Sequence, residues 1–192
     1  MGNGISDVLW WNSQTGDTGF WAISNGTVSG WDDLGTAGSG YSVAGVGDFY
    51  ANGTSDVLWW NSASGDAGFW SVNNGTVTGW QDLGTAGSGY AVAGVGDFFG
   101  TGTSDVLWFN NTTRDTGFWS VNNGTVLGWQ DLGTAGSGYS LVAVGDYLGN
   151  GTSDVLFQNT ATGDTGYWTI NNGAVTGWHD LGAAGSGYSV KT

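Results

Sequence analysis

The sequence has no cysteine, no proline and no glutamate, and Arg114 and Lys191 are its only arginine and lysine. Without cysteine, disulfides, zinc–thiolate sites and a cysteine nucleophile are excluded. Because Glu, Lys and Arg favour helices and are nearly absent, we do not expect a helical protein. Sixteen Asp and a net charge of -14 would repel a phosphate backbone, so we predict no nucleic-acid partner.

Long apolar segments are also missing. No run approaches the ~18 residues of a membrane helix, so we predict no membrane insertion. What the chain has instead is 39 Gly, 13 Trp and 39% hydrophobic residues over a length of 192. This is enough apolar material for a core, and the composition is that of an all-β protein.

A unit of 49 residues repeats four times along the sequence. Asp7, Asp56, Asp105 and Asp154 each begin the string DVL at this interval, and equivalent Trp and Tyr residues repeat in the same register. Four full periods would need 196 residues, so the chain is four units less four residues. We therefore predict a single module over residues 1–192, with no separate domain or linker.

Each unit is predicted to be a four-stranded antiparallel meander. In residues 41–88 the β-type stretches are Tyr41–Phe49, Asp56–Trp60, Phe69–Val72 and Thr76–Leu83, separated by turn-forming residues. The turn after the third stretch contains Asn74-Gly75, which favours a tight hairpin because both residues tolerate positive φ.

Such a meander needs neighbours on both faces. The second stretch, DVLWW, is apolar on both faces, and radial stacking of like units would cover it. This predicts an all-β fold, a β-propeller of four-stranded blades. The predicted blades are residues 41–89, 90–138 and 139–186, with a fourth blade split between 1–40 and 187–192. Pairing of the two ends would close a four-bladed ring in one chain, or an eight-bladed ring in a homodimer.

The string from Gly45 to Asn61, GVGDFYANGTSDVLWWN, recurs in later units as GVGDFFGTGTSDVLWFN and VGDYLGNGTSDVLFQN. It resembles the FG-GAP and VCBS-type repeats of bacterial surface propellers, integrin α-subunit propellers and propeller lectins. The resemblance covers essentially the whole chain and implies a propeller serving adhesion, sugar binding, scaffolding or calcium binding. It also implies a secreted or cell-surface location for the parent protein. Seven or eight blades are usual in this family, which favours the dimeric ring.

In that family, the loop between strands one and two commonly holds calcium through D-x-[DN]-x-D-G-x-x-D. Here the third position is Tyr50, Phe99 or Leu148, none of which supplies a carboxylate. Calcium prefers six to eight oxygen ligands, and two carboxylates remain in each loop. Calcium is therefore disfavoured and we predict no cofactor; instead, Asp48 and its equivalents Asp97 and Asp146 are expected to accept hydrogen bonds from loop amides.

The acidic residues recur once per unit, whereas an enzyme usually needs one asymmetric constellation. The single histidine, His179, occupies a phase held by Asp or Gln in the other units, so a Ser-His-Asp triad or zinc site has little support. We predict that the protein is not an enzyme. A carboxylate pair for glycoside hydrolysis is the weaker enzymatic alternative.

In a meander, the connections two-to-three and four-to-one emerge on one face. This face would carry Asn, Asp, Ser, Thr and Tyr beside aromatic side chains, a combination suited to sugar hydroxyls and the apolar face of a sugar ring. We predict multivalent carbohydrate recognition here, one weak site per blade, with the fourth site weakest because Gln158 replaces its aromatic residue. The predicted ligand-binding residues are Trp11, Asn12, Asp17, Trp60, Asn61, Asp66, Phe109, Asn110, Asp115, Asn159 and Asp164.

Two alternatives accompany this prediction. A structural or protein-adhesion scaffold would need no small-molecule site, and the regular spacing of Trp is what a repeated core requires. The near-identity of the units also suggests a fragment, or an engineered piece, of a larger propeller.

Overall fold

The computed structural model describes residues 4–185 and 188–191, and within these it contains strands and no helix. The all-β prediction is confirmed for this part of the chain. The strands are β1 Val8–Trp11, β2 Asp17–Ser24, β3 Thr27–Thr36, β4 Ser42–Gly47, β5 Asp56–Asn61, β6 Asp66–Asn73, β7 Thr76–Thr85, β8 Tyr90–Gly96, β9 Asp105–Asn110, β10 Asp115–Asn122, β11 Thr125–Thr134, β12 Tyr139–Gly145, β13 Asp154–Asn159, β14 Asp164–Asn171 and β15 Ala174–Ala183.

These strands form four antiparallel sheets in which chain neighbours are also sheet neighbours. The first sheet has three strands, β1-β2-β3. The second (β4–β7), third (β8–β11) and fourth (β12–β15) sheets have four each. The predicted four-stranded meander is therefore confirmed in three repeats.

The Asn-Gly hairpin is also confirmed. Asn73 at the end of β6 pairs with Thr76 at the start of β7, leaving a two-residue loop. In that loop Asn74 has φ of 46° and Gly75 has φ of 77°, the positive values that a type I′ turn requires.

The third strand of each unit begins earlier than predicted. In the second sheet it begins at Asp66 rather than Phe69, and Asp66 pairs with Thr85 of β7. The turn before this strand is short. The Gly65 amide donates a hydrogen bond to the Asn61 carbonyl at 2.8 Å, so only four residues separate Asn61 from Asp66. The Asp predicted to lie in this turn is thus the first residue of a strand.

The chain divides into two compact units, Met1–Gly87 and Ser88–Thr192. In the first unit, one apolar cluster joins Phe20 and Leu34 of the first sheet to Val57 and Trp59 of the second. Leu58 and Trp59 are both fully buried, and they point to opposite faces of β5 as neighbours in a strand do. The prediction that this strand is covered on both faces is confirmed.

In the second unit, the corresponding cluster joins Leu107 of the third sheet, and Phe98 in the loop after β8, to Val155 and Phe157 of the fourth sheet. Phe98 also contacts Phe118 with ring centroids 4.7 Å apart.

In each four-stranded sheet, a buried aspartate carboxylate connects two separate segments of the chain. Asp56 accepts hydrogen bonds from the Val72 amide at 3.0 Å and from the Phe49 amide at 3.2 Å. It thereby connects the third strand to the segment that follows the first. Burial raises the pKa of Asp56 to about 6 and that of Asp105 to about 7, and the amide hydrogen bonds oppose the rise in both cases.

The predicted closure through residues 187–192 stays a prediction. Residues 188–191 are not in a strand, and 187 and 192 lie outside the described residues. Among the described residues, β1 pairs with β2 alone.

Candidate ligand-binding site

The two connections expected on one face lie together in the structure. The Ala37 amide, in the connection after β3, donates to the Gly16 carbonyl in the turn between β1 and β2 at 3.0 Å. The Ala86 amide makes the same bond to Gly65 at 2.9 Å, and Ala135 makes it to Arg114 at 3.0 Å.

The asparagines of the predicted site build this turn. The Asn61 carboxamide oxygen accepts from the amides of Ala63 at 3.1 Å and Ser64 at 3.2 Å. Asn12, Asn110 and Asn159 cap their turns in the same way, each accepting from the amides two and three residues ahead. These carboxamide oxygens are therefore engaged in shaping the loop.

The aspartates of the predicted site hold a tyrosine. The Tyr41 hydroxyl donates to Asp66 Oδ2, and Tyr90 and Tyr139 donate to Asp115 and Asp164 in the same way. This hydrogen bond raises the pKa of Tyr41 and of Tyr90 to about 12.

The aromatic residues of the predicted site are mostly withdrawn into the protein. Phe109 belongs to the apolar cluster of the second unit, and Trp11 packs against that of the first. Trp60 is half-buried, and Gln158, at the same position of the fourth sheet, is buried.

A different set of aromatic residues encloses a cavity of 290 Å³ in the first unit, here called the Trp59 pocket. Trp59 and Trp70 meet with ring centroids 4.7 Å apart, and Tyr41 and Trp80 meet at 5.5 Å. Trp80 is 45% exposed, so one wall of the pocket faces solvent. The lining residues are Ala37, Gly38, Tyr41, Trp59, Trp70 and Trp80.

The second unit has an equivalent cavity of 320 Å³, here called the Phe157 pocket. Its lining residues are Thr134, Ala135, Gly136, Tyr139, Phe157, Trp168 and Trp178. The pairings repeat as well, with Phe157–Trp168 at 4.6 Å and Tyr139–Trp178 at 5.5 Å.

One aromatic residue distinguishes the two pockets. Phe157 stands where the other has Trp59, whose buried indole N–H has no hydrogen-bond acceptor among the described residues. The Phe157 pocket lacks this donor.

The exposed tryptophan of each pocket lies against a glycine. A Cβ added to Gly68 would stand 2.3 Å from Cζ2 of Trp80 and 2.6 Å from the Gln81 carbonyl oxygen. Only a hydrogen fits between strand and ring at this distance. The same contact recurs between Gly166 and Trp178, so β6 and β14 each hold their tryptophan in place through a glycine.

The pocket-lining tyrosines and the tryptophans of strands three and four were not among the predicted site residues. Their strict recurrence is visible in the sequence, but a repeated aromatic residue is also what a core needs. Of the predicted site residues, Asp66 pairs with Thr85 at the end of β7, and its hydrogen bond from Tyr41 joins it to the pocket.

The loops between strands one and two have the predicted hydrogen bonds. Asp48 accepts from the Asn52 amide at 3.0 Å and from the Gly53 amide at 2.6 Å. Asp97 and Asp146 accept equivalent loop amides. Within residues 4–185 and 188–191, no group of three or more His, Cys, Asp or Glu side chains is placed to hold a metal ion.

No family model matches the chain, and no curated protein matches its sequence. In the part of the chain that the structure describes, no helix is long and apolar enough to cross a membrane.

Proposed function

We propose that the protein is a non-enzymatic, multivalent carbohydrate-binding module that binds sugars in the Trp59 pocket and the Phe157 pocket. The observation that carries this proposal is the recurrence of the same aromatic pocket in both compact units, each with one half-exposed tryptophan wall.

The aromatic walls suit the apolar face of a pyranose ring. A ring with a large, exposed π-surface attracts the C–H groups of a sugar, and its burial releases water from both. Trp80 and Trp178 supply such surfaces, each kept in place by a tyrosine at 5.5 Å and by the glycine behind it. The rings are therefore positioned before a ligand arrives, which reduces the entropy lost on binding.

Polar groups beside each pocket suit the hydroxyls. Tyr41 and Asp66 together offer a phenol oxygen and a carboxylate, and Asp66 has acceptor capacity beyond its bond to Tyr41. Backbone groups of Ala37 and Gly38 line the same pocket. A few polar groups at the rim of an aromatic pocket are the usual composition of a specific small-molecule site.

Repetition compensates for weak individual sites. Each pocket is small and partly open, so a single sugar would bind weakly, and two or more pockets on one chain raise the apparent affinity for a multivalent glycan surface. Such a use does not require asymmetric chemistry, which agrees with the recurrence of fifteen of the sixteen Asp residues in register with the 49-residue repeat.

The larger architecture belongs to the same proposal. We infer a β-propeller of FG-GAP or VCBS type, closed as four blades in one chain or as eight in a homodimer, and secreted or displayed at the cell surface in its parent protein. The 49-residue meanders and the packing of two sheets within each unit support it. The solution mass distinguishes the rings, since 19.7 kDa corresponds to one chain and twice that value to a homodimer.

A glycan array followed by titration calorimetry tests the function. We expect binding to a restricted set of glycans, with Trp80→Ala and Trp178→Ala each removing part of the binding and the double variant removing more than either. Leu127→Ala, which changes a 67% exposed side chain outside both pockets, is the matched control and should bind normally. Absence of binding to any glycan would leave the scaffold alternative in its place.

A further inference from the structure

The only arginine of the chain lies in the turn between β9 and β10. At this position the other three repeats have Gly16, Gly65 and Gly163, each with positive φ. Arg114 keeps the same backbone conformation, with φ of 62°, although its Cβ makes that conformation unfavourable. Because strained residues cluster at functional sites, the contacts of this side chain bear on function.

Two hydrogen bonds attach Arg114 to the wall of the Phe157 pocket. Its carbonyl oxygen accepts the Ala135 amide at 3.0 Å. Its guanidinium Nη1 donates to the Gly136 carbonyl oxygen, also at 3.0 Å. Ala135 and Gly136 both line the pocket. The guanidinium therefore lies at the rim of the pocket, on a carbonyl that forms part of the lining.

The same carbonyl connects the guanidinium to the tyrosine of the pocket. The Gly136 carbonyl oxygen also accepts the Tyr139 amide at 3.2 Å, and a Cβ added to Gly136 would stand 3.3 Å from Cδ2 of the Tyr139 ring. Tyr139 in turn contacts Trp178, the 44% exposed wall, with ring centroids 5.5 Å apart. This series of contacts places Arg114 beside the surface on which a sugar would stack.

The guanidinium keeps donors for a ligand. It carries five N–H groups in a planar fork that matches the two oxygens of a carboxylate. Within residues 4–185 and 188–191, the Arg114 side chain has no hydrogen-bond acceptor besides the Gly136 carbonyl. A cation held at the rim of a pocket in this way is suited to bind an anionic group of the ligand.

The Trp59 pocket has the same backbone arrangement without the cation. Gly16 takes the place of Arg114, and its carbonyl oxygen accepts the Ala37 amide at 3.0 Å. Residues 1–87, which include the whole of this pocket, contain no Arg, Lys or His in the sequence.

Two carboxylates lie near the tyrosine of each pocket. In the Trp59 pocket, the hydrogen bond to Asp66 is the main cause of the raised pKa of Tyr41, and the negative charge of Asp82 adds to it. The equivalent groups of the Phe157 pocket are Tyr139, Asp164 and Asp180. These carboxylates disfavour an anionic ligand in both pockets alike, so the difference in charge between the pockets comes from Arg114.

We propose, on the basis of the sugar-binding function proposed above, that Arg114 makes the Phe157 pocket specific for sugars that carry a carboxylate, such as uronic acids. The guanidinium would bind the sugar carboxylate while the sugar ring stacks on Trp178. The Trp59 pocket, which has no such cation, would prefer neutral sugars. The two compact units would then select different ligands, and the module would recognise a glycan that contains both acidic and neutral sugars.

NMR titration of the full chain with matched pairs of methyl glycosides tests the proposal. The pairs are glucose and glucuronic acid, galactose and galacturonic acid, and mannose and mannuronic acid. The indole N–H signals of Trp80 and Trp178 report the two pockets separately, and Trp80→Phe and Trp178→Phe assign them. We expect the neutral glycosides to shift both signals. The uronides should bind at Trp178 about fivefold more tightly than at Trp80, as an exposed charge pair allows.

Three variants test the role of the guanidinium. Arg114→Gly, which restores the residue of the other repeats, should reduce the uronide preference for the Phe157 pocket to less than twofold. Lys191→Ala removes the same charge from a residue that lines neither pocket, and it should keep the preference. Gly16→Arg is the reciprocal variant and should give the Trp59 pocket an increased affinity for uronides.

The outcomes separate this proposal from the sugar-binding function itself. If the neutral glycosides shift both signals and the uronides show no preference for Trp178, the sugar-binding function stands and the role of Arg114 is rejected. A preference that persists in Arg114→Gly, or that disappears equally in Lys191→Ala, also rejects this role. If no glycoside of the panel shifts either signal, both proposals are rejected.

Discussion

The Tyr41 hydroxyl donates a hydrogen bond to Asp66 Oδ2 and thereby joins the start of one repeat segment to the first residue of its third strand, 25 residues later. The same bond recurs at Tyr90 and Tyr139. In the Trp59 pocket it links an aromatic wall to a polar rim, so one side chain takes part in both.

Removal of the Asp66 carboxylate charge should lower the pKa of Tyr41 toward its ordinary value. The pKa of Tyr41 is raised to about 12, chiefly by its hydrogen bond to Asp66, against an ordinary value of about 10. Spectrophotometric titration of Asp66→Asn should therefore show one more tyrosine ionising near pH 10 than the unsubstituted protein. Tyr41→Phe should remove that group from the titration altogether, whereas Tyr188→Phe, at a 75% exposed residue, should leave the high-pH step in place. An unchanged titration in Asp66→Asn would contradict the assigned bond.

The two pockets should have similar affinity for a neutral sugar. Trp59 and Phe157, the aromatic residues that differ between them, are both buried, and so is the Trp59 indole N–H, so neither side chain can donate a hydrogen bond to a sugar. Trp59→Phe should therefore leave sugar binding unchanged while lowering the stability of the protein, because volume is lost from the core. Two-site titration calorimetry and urea unfolding measure the two effects. A large loss of affinity in Trp59→Phe would contradict this expectation.

Gly68 should be intolerant of any side chain. In Gly68→Ala the new Cβ would displace Trp80 and collide with the Gln81 carbonyl, so we expect a loss of about 1–3 kcal/mol and weaker sugar binding. Gly79→Ala in β7 is the control, because its Cβ meets no atom within 4 Å. It should be neutral or stabilising by up to about 1 kcal/mol. Urea unfolding monitored by tryptophan fluorescence measures both, and equal midpoints would rule out the proposed contact.

Arg114 stands in a turn position that glycine holds in the other three repeats. Its φ of 62° is left-handed, which costs a residue with a Cβ about 1–2 kcal/mol. Arg114→Gly should therefore stabilise the protein by about 1 kcal/mol, since the bond lost, from the guanidinium to the Gly136 carbonyl, is exposed. The converse variant Gly65→Arg should destabilise it. Thermal unfolding of the pair tests the sign, and a lower melting temperature for Arg114→Gly would contradict it.

The buried aspartates should make the protein more stable in mild acid. Their pKa values in the folded state, about 6 for Asp56 and about 7 for Asp105, exceed the unfolded value of about 3.9. Between these values the folded state binds more protons, so the free energy of unfolding should fall as pH rises from about 4 to about 7. Asp105→Asn should flatten this dependence. This substitution should also lower stability. The Asp105 carboxylate accepts hydrogen bonds from two backbone amides, and in the Asn variant one of these donors would face the side-chain NH₂, which is a donor as well.

A surface aspartate provides the comparison for this pH dependence. Asp33 is exposed and accepts the Gly35 amide at 2.8 Å, a bond that Asn can preserve through its oxygen. Asp33→Asn should keep the slope of the unsubstituted protein. Denaturant unfolding at a series of pH values gives the slopes, and a steeper decline in Asp105→Asn than in Asp33→Asn would refute the assignment.

Much of the fold could be read from the sequence. The Asn74-Gly75 turn, the strand meander and the burial of β5 on both faces all follow from local preferences repeated four times. The start of β6 was missed by three residues. It depends on a hydrogen bond from the Gly65 amide to the Asn61 carbonyl. The residues inside and just after this turn are all of small or turn-forming types, so the sequence does not show where the turn ends and the strand begins.

The candidate site could be predicted less well, because it too depends on contacts that the sequence does not reveal. Periodicity identified every aromatic residue that repeats, including Trp60, Trp70 and Trp80, but not which of them would remain at the surface.

The sequence by itself determined the all-β class, the 49-residue unit, the acidic charge and the absence of thiol chemistry, because these depend on composition and on short-range backbone preferences. Only the tertiary structure decided which aromatic rings enclose the two pockets and that Asp66 meets Tyr41. Those features depend on which faces meet when two sheets pack together, and this packing is determined by contacts between residues that are far apart in the chain.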